Sequence, residues 1–147
     1  METSNLITLI CRDLAKLKLE IESYPDEKQI WKIEKHIANS AGNLCLHLVG
    51  NLNAFIGATL GNSGFVRDRD SEFALKDVPR LELVSRIEQT IQMIKEVLPT
   101  LTQNQLSSEY PMLVLKEKTT TEYFLIHLAM HLSYHLGQVN YHRRLID

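Results

Sequence analysis

Three of the six histidines in this chain recur at four-residue intervals within one long, apolar and proline-free stretch, residues 124–138. They are His127, His131 and His135. Residues four apart on an α-helix lie on the same face, about 5–6 Å apart at Cβ. The spacing therefore predicts a column of imidazoles, and imidazole is the side chain that most often binds metal ions in proteins.

The apolar face of this predicted helix favours two of the three histidines. On a helical wheel, His135 projects within the apolar face, His131 lies just beside it, and His127 lies further towards the edge. His127 and His135 would be about 12 Å apart along the helix axis. Because a metal–nitrogen bond is only about 2.0–2.1 Å long, these two cannot bind the same ion. The sequence therefore predicts His131 and His135 as the better inward pair, and all three histidines cannot bind one ion.

A third ligand has to come from another helix, and His47 is the candidate because it lies at the edge of the apolar face of an earlier predicted helix. With His131 and His135 it would offer three neutral imidazoles and leave a position open for water or substrate, as in catalytic zinc sites. Leu132 stands where the HExxH motif has its glutamate base, so a metalloprotease of that type is not predicted. The alternative is a set of hydrogen-bonded core histidines, and spacing alone leaves both interpretations open.

Other polar residues could bind substrate or support the histidines. Asn51 lies one turn after His47, and Gln138 lies three residues after His135; the alternative for each is a packing hydrogen bond. The charged segment that follows the helix of His47 adds five candidates: Arg67, Asp68, Arg69, Asp70 and Glu72. Its arginines could bind substrate carboxylates, and its acids could orient histidines or act as a base. The alternative is a solvated loop with internal ion pairs, and no catalytic residue is assigned.

The remaining histidines and the two cysteines have no predicted chemical role. His36 and His142 are interpreted as solvated or locally hydrogen-bonded side chains. Cys11 and Cys45 are interpreted as apolar buried residues rather than nucleophiles, and two cysteines form neither a disulfide framework nor a zinc-finger spacing.

Length and composition predict one globular domain, residues 1–147. A net charge of −2 argues against a nucleic-acid partner. No apolar run reaches the roughly 18 residues of a membrane span, so no membrane partner is expected. The first residues lack the basic segment of a secretory signal, and a cytoplasmic location is therefore predicted.

Hydrophobic periodicity predicts four long helices and no convincing set of strands. The first helix is predicted over Asn5–Ser23, with Ser4 as N-cap, and the second from Asn39–Ser40 to about Leu60. The third is predicted from Val78–Arg80 to near Pro99, and the fourth from Thr119–Glu122 to about Leu145. Residues 65–73 are predicted as a charged loop, and residues 100–118 as an irregular connection. The predicted fold is an all-α four-helix bundle with long inter-helix loops.

Three segments, residues 39–52, 67–73 and 131–138, together resemble the DinB-like superfamily of metal-dependent hydrolases and transferases, and within it a subgroup of small uncharacterised bacterial proteins. With the helix pattern, the resemblance covers nearly the whole chain. It implies a DinB-like four-helix bundle that is often a homodimer. It also implies a divalent metal ion, nickel or zinc, held by His47, His131 and His135.

Two functional hypotheses follow. Some members of the superfamily transfer low-molecular-weight thiols such as bacillithiol or mycothiol, and others have no known activity. The first hypothesis is a metal-dependent hydrolase or thiol transferase that acts on a small molecule, for example a thiol. The second is a non-catalytic, metal-binding and stress-associated homodimer that serves as an interaction protein.

Overall fold

A computed structural model describes residues 2–146 of the chain, which form an all-α bundle as predicted. The helices in order are α1 (Thr3–Glu22), a 3-10 helix (Glu27–Trp31), α2 (Ala41–Leu52), a π-helical segment (Asn53–Ala58), α3 (Arg69–Ala74), α4 (Arg80–Val97), a 3-10 turn (Leu98–Thr100), α5 (Gln103–Ser107) and α6 (Thr121–Leu145). Within the described residues no strand forms, although one isolated β-bridge joins Glu109 and Thr120. No helix in residues 2–146 combines the length and apolarity that crossing a membrane would require.

The four predicted long helices correspond to α1, α2 with its π-helical continuation, α4 and α6. The prediction of Ser4 as the first N-cap is wrong, because the helix already begins at Thr3 and Glu2 occupies the cap position. The Ser4 carbonyl instead accepts a hydrogen bond from the Thr8 hydroxyl, 2.9 Å away, inside the first turns. Thr120 caps α6, since its side chain accepts from the Tyr123 backbone N–H.

Two short helices lie where loops are predicted, and local capping explains both. Asp68 accepts from the Ser71 backbone N–H and starts α3. Thr102 and Gln105 form a reciprocal capping box that starts α5. Such caps satisfy backbone N–H groups that a short helix would otherwise leave unpaired. These helices are too short to show a hydrophobic period.

The core lies between the four long helices. α1 packs against α4 and α6, and α2 packs against the same two helices from the other side. Apolar side chains at most 1% exposed fill the space between them, including Leu14, Leu17, Leu48, Ile87 and Leu128. The short α3 packs on α2, and this places a charged segment beside the seam between α2 and α6.

Trp31 closes the core next to the start of α2. It is 9% exposed and belongs to the core cluster. A Cβ atom at Gly42 would lie only 2.6–2.7 Å from its ring carbons. The missing side chain at residue 42 therefore lets the indole lie directly against the α2 backbone.

Candidate metal centre

The structure brings His47 of α2 together with His131 and His135 of α6. The Nε2 atom of His131 lies 3.2 Å from Nε2 of His47 and 3.2 Å from Nε2 of His135. One ring nitrogen from each of the three histidines lies within 4.8 Å of the other two. His47 is buried and the other two are half-buried. The cluster therefore lies at the α2–α6 seam with one side towards the protein and one side towards solvent.

The spacing of the nitrogens fits a shared divalent ion. Two nitrogens bound to one ion at about 2.0–2.1 Å in a tetrahedral arrangement lie about 3.3 Å apart. The two separations of 3.2 Å agree with this value. Three imidazole nitrogens are ligands that divalent metal ions accept, so the residues present can hold such an ion.

Two of the three rings are fixed through their other nitrogen. The Nδ1–H of His47 donates to Oε1 of Glu72 at 3.0 Å. Nδ1 of His135 lies 2.7 Å from Oε1 of Gln138 and donates to it. With the proton on Nδ1, the Nε2 lone pair of each ring faces the cluster. Carboxylate and amide acceptors behind metal-binding histidines commonly fix the tautomer in this way.

Glu72 is held in place by Arg67 and by a glycine on α2. Arg67 donates to both carboxylate oxygens of Glu72, from Nε at 2.8 Å and from Nη2 at 3.0 Å. A Cβ atom at Gly50 would lie 1.9 Å from Oε2 of Glu72. Only glycine at position 50 therefore lets the Glu72 carboxylate, which is 6% exposed, reach His47.

The electrostatics of the cluster favour neutral His131 and His135 and an ionised Glu72. Burial, followed by the neighbouring His135 and His47, lowers the pKa of His131 to about 4. Burial also lowers the pKa of His135, against the opposing hydrogen bond with Gln138. Burial on its own would raise the pKa of Glu72, but hydrogen bonds from His47 and Arg67 outweigh it and hold that pKa below its ordinary value. Neutral imidazole is the form that binds metals.

Two buried polar atoms next to the cluster have no hydrogen-bond partner within residues 2–146: Nδ1 of His131 and Oδ1 of Asn51. The helices run antiparallel here, since His47 meets His131 while Phe55 meets Phe124. Asn51, one turn beyond His47, is therefore level with the turn of α6 that precedes His131. Nδ1 of His131 can carry a proton, and Oδ1 of Asn51 can accept a hydrogen bond from it.

His127 takes no part in the cluster, as the sequence predicts. Its ring stacks between the rings of Phe124 and His131, with centroids 5.8 Å and 6.4 Å away. The metal-ligand grouping found in the described residues contains only His47, His131 and His135.

The sequence profile of a family described as protein of unknown function, DUF1572, matches residues 7–147, nearly the whole chain. The chain belongs to the DUF1572 family. No curated protein matches the sequence. The family description states no activity, so the function of this DUF1572 protein has to be argued from its site.

The other charged candidates of this DUF1572 chain lie apart from the histidine cluster. Asp68 is exposed and accepts from the Ser71 N–H and hydroxyl at the start of α3. Arg69 places its guanidinium 5.2 Å from the centre of the Phe73 ring. Asp70 is exposed in the first turn of α3. Residues 65–68 form a loop as predicted, but residues 69–73 belong to α3, so the prediction of a loop is wrong for that part of the segment.

Sequence reasoning missed Gly50 and Phe73, whose ring centroid lies 5.0 Å from that of His47. No motif marks either residue, because both act through contacts between α2 and α3. The interpretation of His142 as solvated or locally bonded is wrong. It is 4% exposed, and its ring nitrogens lie 2.6 Å from the Tyr24 hydroxyl and 2.8 Å from the Lys32 carbonyl oxygen. The partners are more than 100 residues away in sequence.

The cysteines match their predicted role as apolar residues. Cys45 is fully buried, and burial raises the pKa of its thiol to about 12. Cys11 is half-buried and packs against the core, and burial raises its pKa as well. Neither thiol is activated as a nucleophile.

Proposed function

We propose that this protein is a metal-dependent enzyme of the DinB-like type, a hydrolase or a low-molecular-weight thiol transferase, which holds nickel or zinc with His47, His131 and His135. The observation that carries the proposal is the convergence of three Nε2 atoms, two of them 3.2 Å from the third. Glu72 and Gln138 support it because they hold two of the rings with their lone pairs towards the same point. The proposed setting is the cytoplasm, where free thiols stay reduced.

A divalent ion bound by three imidazoles supplies Lewis acidity that lowers the pKa of a coordinated water or thiol. The protein provides the orientation. Glu72 is bound to both His47 and Arg67, so its role is to hold His47 rather than to act as the general base. Arg67 keeps this buried carboxylate ionised, and an ionised acceptor fixes the tautomer and the orientation of the His47 ring.

Asn51 completes the support of the third ring in this proposal. When Nε2 of His131 is used as a ligand, the proton of the neutral ring lies on Nδ1. That buried N–H then needs an acceptor, and the buried Oδ1 of Asn51 has no donor within residues 2–146. Pairing the two atoms would remove two unsatisfied groups, each of which costs about 1–3 kcal/mol.

Elemental analysis of protein purified without a histidine tag tests the metal site. Wild-type protein is expected to contain, or to take up, about one zinc or nickel ion per chain, and His47→Ala is expected to lose it. His127→Ala is the matched control, because it removes a neighbouring imidazole outside the cluster and should keep the ion. Wild-type protein that is metal-free and cannot be loaded with either metal would refute the proposal.

An apolar stripe on the outer face of α6 favours a second candidate function, a non-catalytic metal-binding homodimer. Six large apolar residues on this helix are 42–68% exposed: Tyr123, Ile126, Met130, Tyr134, Tyr141 and Leu145. They extend along about 33 Å of helix, and a Cβ at Gly137 would meet no atom within 4 Å. A stripe of this kind suits a self-complementary contact between two copies of α6.

The mass of the protein in solution tests this second candidate. Wild-type protein is expected to sediment as a dimer, and Met130→Glu as a monomer, because a charge in the centre of the stripe would be desolvated on association. Leu81→Glu alters an apolar residue that is 83% exposed on α4 and should leave the dimer intact. A monomeric wild type at high concentration would rule out the homodimer. A dimer with a bound metal but no turnover of thiol or ester substrates would favour the non-catalytic role.

A further inference from the structure

A cavity of about 470 Å³, here called the α2–α6 cavity, lies between the segment of residues 36–39, the start of α2 and the C-terminal half of α6. Leu44, one turn before His47, and Gln138, one turn after His135, both line it. One helical turn is about 5.4 Å, so the cavity begins about that far from the ligands. Its volume lies in the range of small-molecule sites, about 300–1,000 Å³.

The walls of this cavity combine an apolar surface with hydrogen-bond donors. Ile37, Leu44 and Leu145 provide apolar surface. Gln138 uses its carbonyl oxygen for His135, and its amide N–H groups have no acceptor within the described residues. The Asn39 side chain adds a second carboxamide to the lining.

The charges around this cavity favour an anion. Within residues 2–146, no aspartate or glutamate lines it. The Arg144 guanidinium lies 5.6 Å from the centre of the ring of Tyr141, which is a wall residue. A second cavity, of about 340 Å³ behind the histidine cluster, differs because the carboxylates of Asp68 and Glu72 line it and its Arg86 is paired with Glu82.

We propose that the α2–α6 cavity binds the non-reacting part of the substrate, and that the substrate is a small elongated molecule with an apolar segment and a carboxylate. In this arrangement the carboxylate accepts hydrogen bonds from Gln138 and Asn39, the apolar segment lies on Leu44 and Leu145, and the reacting end reaches the histidines. The inference names the substrate class of the proposed metal-dependent function and rests on that function for the reacting end only. Gln138 would then contact both the bound substrate and His135.

Methyl-resolved NMR titration of the metal-free protein tests the cavity without relying on the metal. The probe is hexanoate, and hexylammonium, with the same chain and the opposite charge, is its control. Hexanoate is expected to give saturable shifts at the methyl groups of Ile37, Leu44 and Leu145, and to bind at least tenfold more tightly than hexylammonium. The same titrations are repeated on zinc-loaded protein whose zinc content is measured. They show whether metal at the histidine cluster changes hexanoate binding in the cavity.

Two variants locate the binding. Ala38→Phe fills the cavity from an exposed wall position and is expected to abolish the shifts, whereas Ala15→Phe, at an exposed position on α1, should not. Asn39→Asp keeps the size of the side chain but replaces a donor with a negative charge, and it is expected to weaken hexanoate binding by tenfold or more. Circular dichroism verifies that each variant is folded. If Ala38→Phe does not fold, Asn39→Asp tests binding in the cavity.

The possible outcomes separate this inference from the proposed function. Absence of saturable hexanoate shifts in both metal-free and zinc-loaded protein would overturn the cavity assignment, whatever the metal content. Equal binding of hexanoate and hexylammonium would overturn the carboxylate assignment. Hexanoate binding to a protein that takes up no zinc or nickel would support the cavity while refuting the metal-dependent function.

Discussion

At the scale of single residues, the centre depends on side chains that hold the histidines rather than on the histidines alone. Glu72 and Gln138 each occupy the Nδ1 side of a ring, while the third ring, His131, has a buried Nδ1 without a partner among the described residues. Asn51 offers the missing acceptor in the proposed metal-bound state. The support of the His131 ring therefore depends on Asn51 in this proposal.

Asn51→Leu is expected to weaken zinc or nickel affinity by about 10–100-fold, the usual cost of losing an outer acceptor. The same change removes an unsatisfied buried oxygen, so the metal-free protein should become more stable by about 1 kcal/mol. Chelator competition measures the affinity, and urea unfolding in the presence of EDTA measures the free energy of unfolding. Unchanged metal affinity would mean that Asn51 does not support His131.

Gly50→Ala is expected to weaken metal affinity by tenfold or more, because the added methyl would lie 1.9 Å from the Glu72 carboxylate and displace it from His47. Gly137→Ala is the matched control on α6, where a Cβ meets nothing within 4 Å. That control should keep its metal affinity and gain about 0.5–1 kcal/mol of stability from better helix propensity. Equal metal affinities for the two variants would contradict the role of Gly50.

At the scale of helices, polar contacts fix α1 and the segment after it to the end of α6. Glu20 of α1 accepts from Arg143 at 2.5 Å and from Asn140 at 2.7 Å. The two ring nitrogens of His142 form hydrogen bonds with the Tyr24 hydroxyl and the Lys32 carbonyl oxygen. These contacts hold the C-terminal turns of α6, the helix that provides two of the three histidines.

Glu20→Gln is expected to lower the free energy of unfolding at neutral pH by about 1–2 kcal/mol through loss of charged hydrogen bonds. Burial alone would raise the Glu20 pKa, but the bonds from Arg143 and Asn140 outweigh it and lower the pKa from 4.5. A lowered folded-state pKa stabilises the protein above pH 4.5, and this contribution is lost as the pH falls through the folded value. The difference between wild type and variant, measured by urea unfolding, should therefore shrink below pH 4.5.

Glu22→Gln, at the exposed end of α1, is the control for this experiment and should unfold like wild type at each pH. A difference between Glu20→Gln and wild type that stays constant from pH 7 to pH 3 would contradict the linkage.

The sequence predicts features that depend on residues close together in the chain, and it does not predict features that depend on contacts between distant segments. The long helices follow from apolar residues at helical spacing, and so does the pairing of His131 with His135. Glu72 could not be selected from its charged neighbours, because its role depends on how α3 packs on α2 and on the missing side chain of Gly50. The burial of His142 depends on Tyr24, which is 118 residues away in sequence.

At the scale of the whole molecule, Cys45 can report on opening of the bundle. It is fully buried and free, and burial raises its thiol pKa to about 12. A buried thiol with a raised pKa is inert until the surrounding structure opens. Its rate of alkylation therefore follows the population of the opened protein.

Saturation with the proposed metal is expected to slow this alkylation. An ion present at 100 times its Kd stabilises the folded state by about 2.7 kcal/mol, which lowers the opened population about 100-fold. Mass spectrometry after iodoacetamide pulses would follow Cys45 in metal-free and metal-loaded protein. Cys11, which is half-buried, should be alkylated faster than Cys45 in both states. Identical Cys45 rates with and without metal would show that binding is not coupled to folding.

The π-helical segment Asn53–Ala58 places a strict length requirement on the chain. Its backbone bonds span five residues, as from the Thr59 N–H to the Ala54 carbonyl, so its turn holds one residue more than an α-helical turn. Deleting one residue there would restore a regular helix and rotate everything that follows by about 100° relative to α2. Glu72 would then leave the side of α2 that carries His47. Natural relatives that keep the histidines should therefore align across this segment without gaps, even where the loops around it vary in length.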